Sequence, residues 1–238
     1  MTDNSTSQQR PAKPKNNTFL ELIFNIIIPS LILMKLSGEE YLGIVPGLLV
    51  ALAFPVVYGI YDFVTTRTFN FISLLGFLST LLTGGIGLFE LDAEWLAIKE
   101  AAIPAIIGLV VLVSGFSGKP LLAKLMLNPT LFNLNVIYDA LAEKNNTSVF
   151  KAKINRANHL LASTFVFSAS ANYILAKIIV TSNAGTVEFN EQLGEMTLIS
   201  YPVIAIPSLI MLIGIMVYVV KTITRLTGLK FEQVLQQE

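Results

Sequence analysis

The chain contains no cysteine and only one histidine. Without cysteine it can form no disulfide, thiol nucleophile or thiolate metal site, and one histidine argues against an imidazole-based metal site or proton relay. The sequence also lacks a phosphate loop, a nucleophile elbow, an HExxH motif and paired intramembrane aspartates. We therefore expect no enzyme activity, no metal, no cofactor and no nucleic-acid partner.

Charged residues are scarce as well, at 13% of the chain, whereas 53% is apolar and the mean hydropathy is +0.67. A typical soluble domain carries about 25% charged residues. The apolar residues form six runs close to the roughly 20 residues that cross a hydrocarbon core of about 30 Å. They cover residues 19–36, 42–61, 71–89, 98–116, 160–180 and 198–220. The sequence thus predicts an all-α polytopic integral membrane protein, with a six-helix transmembrane domain over residues 18–221.

Basic residues are concentrated on one side of the predicted bundle, as they are in cytoplasmic loops. With the N-terminus inside, 13 of the 16 lysines and arginines lie on the inner side, which sums to +6, and the outer side sums to −6. Nine acids lie on the outer side, at Glu39, Glu40, Glu90, Asp92, Glu94, Glu100, Glu188, Glu191 and Glu195. This asymmetry predicts that both termini are cytoplasmic.

Three segments are predicted to be cytoplasmic. Residues 1–17 are polar and read as a disordered tail, and residues 222–238 form a C-terminal tail. The loop over 117–159 is too long for a plain connector. Four of its apolar residues recur at helical spacing, which predicts an amphipathic helix at the inner interface: Leu131, Leu134, Tyr138 and Leu141. The alternative is a loop whose apolar residues cover the inner end of the bundle. Its basic residues could contact anionic lipid.

Polar side chains within the spans are candidate binding residues because an unpaired polar group is costly in lipid. Glu21 and Asn25 are four residues apart and share a face of the first span. In the fifth span Asn172 lies midway and Lys177 about one turn inside the outer end. The simpler interpretations are an interhelical hydrogen bond for Asn172, and for Lys177 snorkelling or an ion pair with an outer acid.

The connection between the second and third spans runs from Asp62 to Arg67. We expect a tight turn in which these two charges form a structural pair. A separate feature is the pentapeptide Ile-Pro-Ser-Leu-Ile, which occurs at residues 28–32 and again at 206–210. Inverted repeats are typical of transporters, although five residues do not establish a repeat.

Several short motifs resemble the intracellular septation protein A family. They are Asn70-Phe71-Ile72-Ser73-Leu74, Thr83-Gly84-Gly85, Glu90-Leu91-Asp92, Leu112-Val113-Ser114 and Gly118-Lys119-Pro120-Leu121, together with Asn172-Tyr173 and Ala176. They follow the span order over most of the chain. The inner loop is longer than in that family, and Ile98-Lys99-Glu100 replaces its Trp-Lys-Pro, as expected of a sister group. The resemblance implies a bacterial inner-membrane protein linked to envelope maintenance and division, with no established catalytic residues.

Together these observations predict a non-catalytic inner-membrane protein that acts through helix packing and through contacts with lipid or other proteins. Membrane-protein partners or a homodimer are compatible with this role. The alternative is a small-solute or lipid transporter or channel, in which Glu21, Asn25, Asn172 and Lys177 would surround one hydrated cavity. In a sealed bundle these residues would lie in separate interfaces.

Overall fold

The structure, a computed structural model, describes residues 22–66 and 71–235. Helix accounts for 82% of these residues and none of them forms a strand, so the predicted all-helical class is confirmed. The predicted tail over residues 1–17 lies outside the described residues, as do residues 236–238 of the C-terminal tail.

Nine helices follow one another in the described part of the chain. They are α1 (Ile23–Leu36), α2 (Ile44–Thr66), α3 (Phe71–Leu88), α4 (Ala93–Phe116), α5 (Leu121–Met126), α6 (Leu134–Glu143), α7 (Thr147–Ile179), α8 (Val187–Thr227) and α9 (Phe231–Val234). Side chains stabilise several of the starts. Asp92 accepts a 2.7 Å hydrogen bond from the Glu94 amide at α4, and Thr186 accepts one of 3.2 Å from the Phe189 amide at α8.

Four helices in this part of the chain are long and apolar enough to cross a membrane, namely α2, α4, α7 and α8. By length and composition, this is a multi-pass membrane protein. The predicted count of six spans is not confirmed. The first predicted span coincides with the shorter apolar helix Ile23–Leu36, and within α3 the side chains are described only over Leu74–Leu88.

Three predicted spans are parts of longer helices. Span 98–116 lies within α4, which begins at Ala93. Span 160–180 lies within α7, which begins at Thr147, and span 198–220 lies within α8, which extends from Val187 to Thr227. Hydropathy detects only the apolar section of a helix, whereas backbone hydrogen bonding continues through its charged ends. Residues 147–159 of the predicted loop over 117–159 are therefore the first part of α7.

The predicted amphipathic helix exists as α6, but its buried face differs from the expected one. The Asn133 side chain accepts a hydrogen bond from the Val136 amide, so the helix begins after Leu131, which is exposed. Ile137 and Leu141 form the buried face, while Tyr138 is largely exposed. The segment is thus helical, as the first interpretation predicted. Its apolar residues also join the core of the bundle, as the alternative predicted.

Contacts between helix ends separate the connections into two groups. Near the start of α8, the Asn190 side chain donates hydrogen bonds to Ser37 Oγ and to the Ile44 carbonyl. At the opposite end of the helices, Asn146 Nδ2 donates to the Leu226 carbonyl at 2.8 Å. The segment before α6 also pairs with the last described residues through a bridge between Phe132 and Leu235.

These two ends differ in charge. We call the end with connections 37–43, 89–92 and 180–186 the acidic end, since it carries Glu39, Glu40, Glu90, Asp92, Glu94, Glu188 and Glu191. We call the other the basic end, since it carries Lys119, Lys124, Lys144, Lys151, Lys153, Arg156, Lys221, Arg225 and Lys230. The charge separation along the sequence thus becomes a separation in space.

Each end has its own hydrophobic cluster. The acidic-end cluster includes Ile32, Leu48, Leu96 and Phe189. The basic-end cluster includes Val111, Leu122, Ile137, Leu141, Phe150, Ile154, Ile215, Val219 and Ile223. Between the clusters α4 lies close to α7, where a Cβ on Gly108 would be 2.8 Å from the Phe165 Cβ. Only 17–28% of the residues in the apolar windows of the four long helices are buried. Hydrocarbon is the solvent that such exposed apolar faces require.

The two Ile-Pro-Ser-Leu-Ile segments have the same local structure. A five-residue π-helical turn precedes each of them, Ile23–Ile27 in α1 and Tyr201–Ala205 in α8. Proline offers no backbone donor, and its ring clashes with the carbonyl four residues earlier in an α-helix. A wider turn relieves this clash, so the repeated sequence and the repeated backbone have one physical cause.

Candidate functional site: polar groups between the helices

The structure describes some of the predicted site residues and not others. Glu21 and Arg67 lie outside the described residues, and so does the side chain of Asp62, so the pairing of Asp62 with Arg67 stays a prediction. The tight turn predicted to begin at Asp62 is wrong, because backbone hydrogen bonding continues α2 through Thr66. Asn25 lies in the π turn of α1, and its Oδ1 atom is buried without a hydrogen-bond partner among the described residues.

Asn172 makes its hydrogen bonds within its own helix. Its Nδ2 atom donates to the Ser168 carbonyl at 2.8 Å and lies 3.4 Å from Ser168 Oγ. The structure therefore gives this amide nitrogen partners in α7 rather than the expected partner on another helix. The sequence does support this geometry, because residues four apart lie one above the other on a helix.

Lys177 pairs with an acid at the acidic end, as its simpler interpretation proposed. Its Nζ atom lies 3.5 Å from Glu94 Oε1, and the two side chains are 47% and 52% exposed. The Tyr173 hydroxyl lies 3.5 Å from the same oxygen. A pair this exposed contributes about 0–1 kcal/mol. Asn172 and Lys177 thus have different partners at different heights along α7.

A buried lysine, Lys99, links α4 to α3. Its side chain is 8% exposed, and its Nζ atom donates to Thr83 Oγ1 at 2.7 Å and lies 2.6 Å from Glu100 Oε1. Because the Glu100 side chain is 24% exposed, the carboxylate keeps some contact with the surroundings while it neutralises the ammonium group. The sequence placed Lys99 among the outer-side charges, but the spacing gave no indication of Thr83, which is 16 residues away.

Near the basic-end cluster, the side chain of Asn158 in α7 is 0% exposed and hydrogen-bonded at both its nitrogen and its oxygen. Its Nδ2 atom donates to the Val111 carbonyl at 2.7 Å and to Ser114 Oγ at 3.3 Å. Its Oδ1 atom accepts from the Leu122 amide at 3.0 Å. One side chain thus joins α7, the last turns of α4 and the start of α5. The sequence did not single out Asn158, because it lies in the stretch 117–159 that hydropathy predicts to be a loop.

At the acidic end, Asn190 in α8 has a comparable role. The side chain is 1% exposed, and Nδ2 donates to Ser37 Oγ at 3.2 Å and to the Ile44 carbonyl at 2.9 Å. Two glycines allow the helices to approach. A Cβ on Gly47 would lie 2.8 Å from Ser37 Oγ, and one on Gly194 would lie 2.7 Å from the Ser30 carbonyl oxygen.

A groove of about 250 Å³ lies between α7 and α8, toward the basic end of their apolar sections. Leu160, Ser163 and Thr164 line one side, and Met211, Gly214 and Ile215 line the other. None of the predicted binding residues Asn25, Asn172 and Lys177 lines it. Within residues 22–66 and 71–235, no group of three or more His, Asp or Glu residues is arranged to hold a metal ion.

Comparison of the chain with protein-family models, with curated proteins and with solved structures finds no match.

Proposed function

We propose that this chain is a six-span protein of the bacterial inner membrane, with both termini in the cytoplasm, and that it acts without catalysis in envelope maintenance or division. Its contacts are those of a packed bundle with lipid and with other membrane proteins, including a second copy of itself. The motif resemblance to the intracellular septation protein A family supports the envelope role.

The observation that carries the proposal is the distribution of the polar side chains. Asn158, Asn190, Lys99 and Lys177 each have partners in a different place, and the first three are buried in contacts that join helices. A transporter needs several polar groups around one hydrated path. Scattered, locally bonded groups instead hold helices together.

The six-span topology is supported by where the two shorter helices end. α1 and α3 reach the acidic end alongside the long helices, since Ser37 contacts Asn190 and a Cβ on Gly87 would touch the Leu48 side chain. The 18 residues of α3 span about 27 Å, close to a hydrocarbon core of about 30 Å.

The absence of native cysteine makes topology directly testable. Single cysteines at the exposed positions Glu40 and Asn183 should react with a membrane-impermeant thiol reagent in intact cells, whereas one at the exposed Ser148 should react only after the cells are opened. Labelling of Ser148→Cys in intact cells would contradict the proposed orientation.

The envelope role is tested in a host strain that lacks the gene. We expect increased sensitivity to osmotic downshift or to detergent, rescued by the wild-type gene and by Asn172→Ala at equal abundance. A deletion strain with normal division and envelope resistance would contradict the role.

The second candidate, a transporter, is favoured by unpaired oxygens near a π turn. Asn25 Oδ1 and Ser30 Oγ are buried without hydrogen-bond partners among the described residues, next to the irregular turn of α1. π turns are frequent at functional sites. A solute screen by thermal shift on the purified protein separates the two functions. The scaffold predicts no solute-dependent shift, whereas a shift that Asn25→Ala abolishes would favour transport.

A further inference from the structure

The groove between α7 and α8 has the chemistry of a hydrocarbon site. It is open rather than enclosed, and a Cβ on Gly214 would meet no other atom within 4 Å. Its two hydroxyl groups are already engaged, because Ser163 and Thr164 both donate to the Leu160 carbonyl, at 2.7 Å and 3.1 Å. The groove therefore offers methyl and methylene surface without a free hydroxyl donor, and such a surface suits an alkyl chain.

Toward the basic end, the same helix faces carry cations. Lys153 and Arg156 precede Leu160 by seven and four residues in α7, so the three residues share one face and the two cations lie nearer the basic end. Lys221 and Arg225 follow Gly214 by seven and eleven residues in α8, which places them on the same face of the helix as Gly214. The four cations are thus about one to three turns from the groove.

These four cations form no ion pair within the described part of the protein. All four are exposed. Neither α7 nor the stretch Ile206–Thr227 of α8 contains an aspartate or a glutamate. An anionic group near them would be attracted by about 1 kcal/mol per cation, an affinity gain of roughly fivefold each.

We propose that this groove and these cations form a binding site for an anionic phospholipid. One acyl chain lies in the groove against Gly214 and Ser163, and the phosphate lies at the basic end near Arg156 and Lys221. A second copy of this chain is a poorer occupant, because a symmetric contact would bring the same basic faces together. The inference rests on the proposed insertion of α7 and α8 in a membrane, but not on the envelope role.

The test uses the full-length protein in nanodiscs that contain phosphatidylglycerol and phosphatidylcholine, followed by native mass spectrometry of the lipids retained after release. Wild-type protein should retain phosphatidylglycerol preferentially. Arg156→Gln with Lys221→Gln should weaken that preference by roughly thirtyfold, the equivalent of about 2 kcal/mol for two cations. The matched control, Lys119→Gln with Lys124→Gln, removes two exposed basic-end charges away from the groove and should leave most of the preference.

A second pair of variants tests the groove. Gly214→Leu fills it and should reduce retention of both lipids by about tenfold, the equivalent of about two buried methylenes. Gly76→Leu adds the same side chain at an open position in α3 and should have no such effect. Equal losses in the two charge variants would mean diffuse attraction and would overturn the site, as would equal retention by Gly214→Leu and Gly76→Leu. Extraction of the protein from membranes by alkaline carbonate would instead contradict membrane insertion itself.

Discussion

Asn158→Ala should be among the most destabilising single substitutions at the basic end. The side chain is wholly buried and holds the Leu122 amide, a donor at the start of α5 that has no partner within its own helix. Leaving that amide unpaired costs about 1–3 kcal/mol, and losing the 2.7 Å bond to the Val111 carbonyl removes about 1 kcal/mol more. We expect a total of about 2–4 kcal/mol.

The measurement is thermal unfolding of the purified protein in mild detergent. At about 2–4 °C per kcal/mol for a chain of this size, the midpoint should fall by roughly 4–16 °C. Asn172→Ala is a matched control, since it is the same substitution in the same helix, but its amide nitrogen bonds only to Ser168. The control should melt within about 2 °C of wild type, a shift of less than about 1 kcal/mol.

Two further readouts separate a local hydrogen-bond effect from general damage. Trypsin should cleave after Lys124 sooner in Asn158→Ala, because the start of α5 is no longer anchored. A double-mutant cycle with Ser114→Ala should show a coupling of about 0.5–3 kcal/mol, since Ser114 Oγ accepts from Asn158 Nδ2. If Asn158→Ala and Asn172→Ala melt together and couple to nothing, the assignment of Asn158 as an anchor is refuted.

Three other predictions concern packing and charge. Gly194→Ala would push a methyl group to 2.7 Å from a backbone oxygen of α1 and should cost about 1–3 kcal/mol, whereas Gly59→Ala, in open space, should leave the unfolding midpoint unchanged or raise it. Lys99→Gln removes the buried partner of Glu100 and should clearly lower the unfolding midpoint. Lys177→Gln breaks an exposed pair worth about 0–1 kcal/mol and should change the midpoint little. Equal changes in the midpoint of the two variants would contradict the role of burial. Arg67→Gln should leave the protein folded and inserted, and loss of envelope function at normal abundance would identify Arg67 as a functional residue.

Much of the helical framework was predictable from the sequence because hydropathy reports the part of each helix that needs an apolar solvent. Within the part of the chain that the structure describes, each of the six predicted spans coincides with a helix. The ends of the helices were harder to predict from hydropathy. α7 extends through Lys151, Lys153 and Arg156, which are hydrophilic residues of high helix propensity. For α6, the Asn133 cap decides which apolar residues are buried, and spacing alone selected Leu131 incorrectly.

The polar contacts were predictable only where they are local or follow from charge. The pairing of Lys177 with an outer acid follows from opposite charges at one end of the bundle, and the sharing of a face by Asn172 and Ser168 follows from helical geometry. The contacts of Asn158 and Lys99 depend on which helices are neighbours. They join residues 36 and 16 positions apart, and no feature of one sequence reports such proximity.

The two hydrophobic clusters at opposite ends of the bundle have a consequence for the surrounding bilayer. Each cluster packs the helices near one end, and Ile215 belongs both to the basic-end cluster and to the wall of the groove between α7 and α8. Bilayers of different thickness are accommodated by helix tilt at a cost of fractions of a kcal/mol per Å of mismatch. Since α7 and α8 form the two walls of the groove, a change in the tilt of one helix against the other would change its width. Membrane thickness would then act on the protein as a ligand does, by favouring one width of the groove over another.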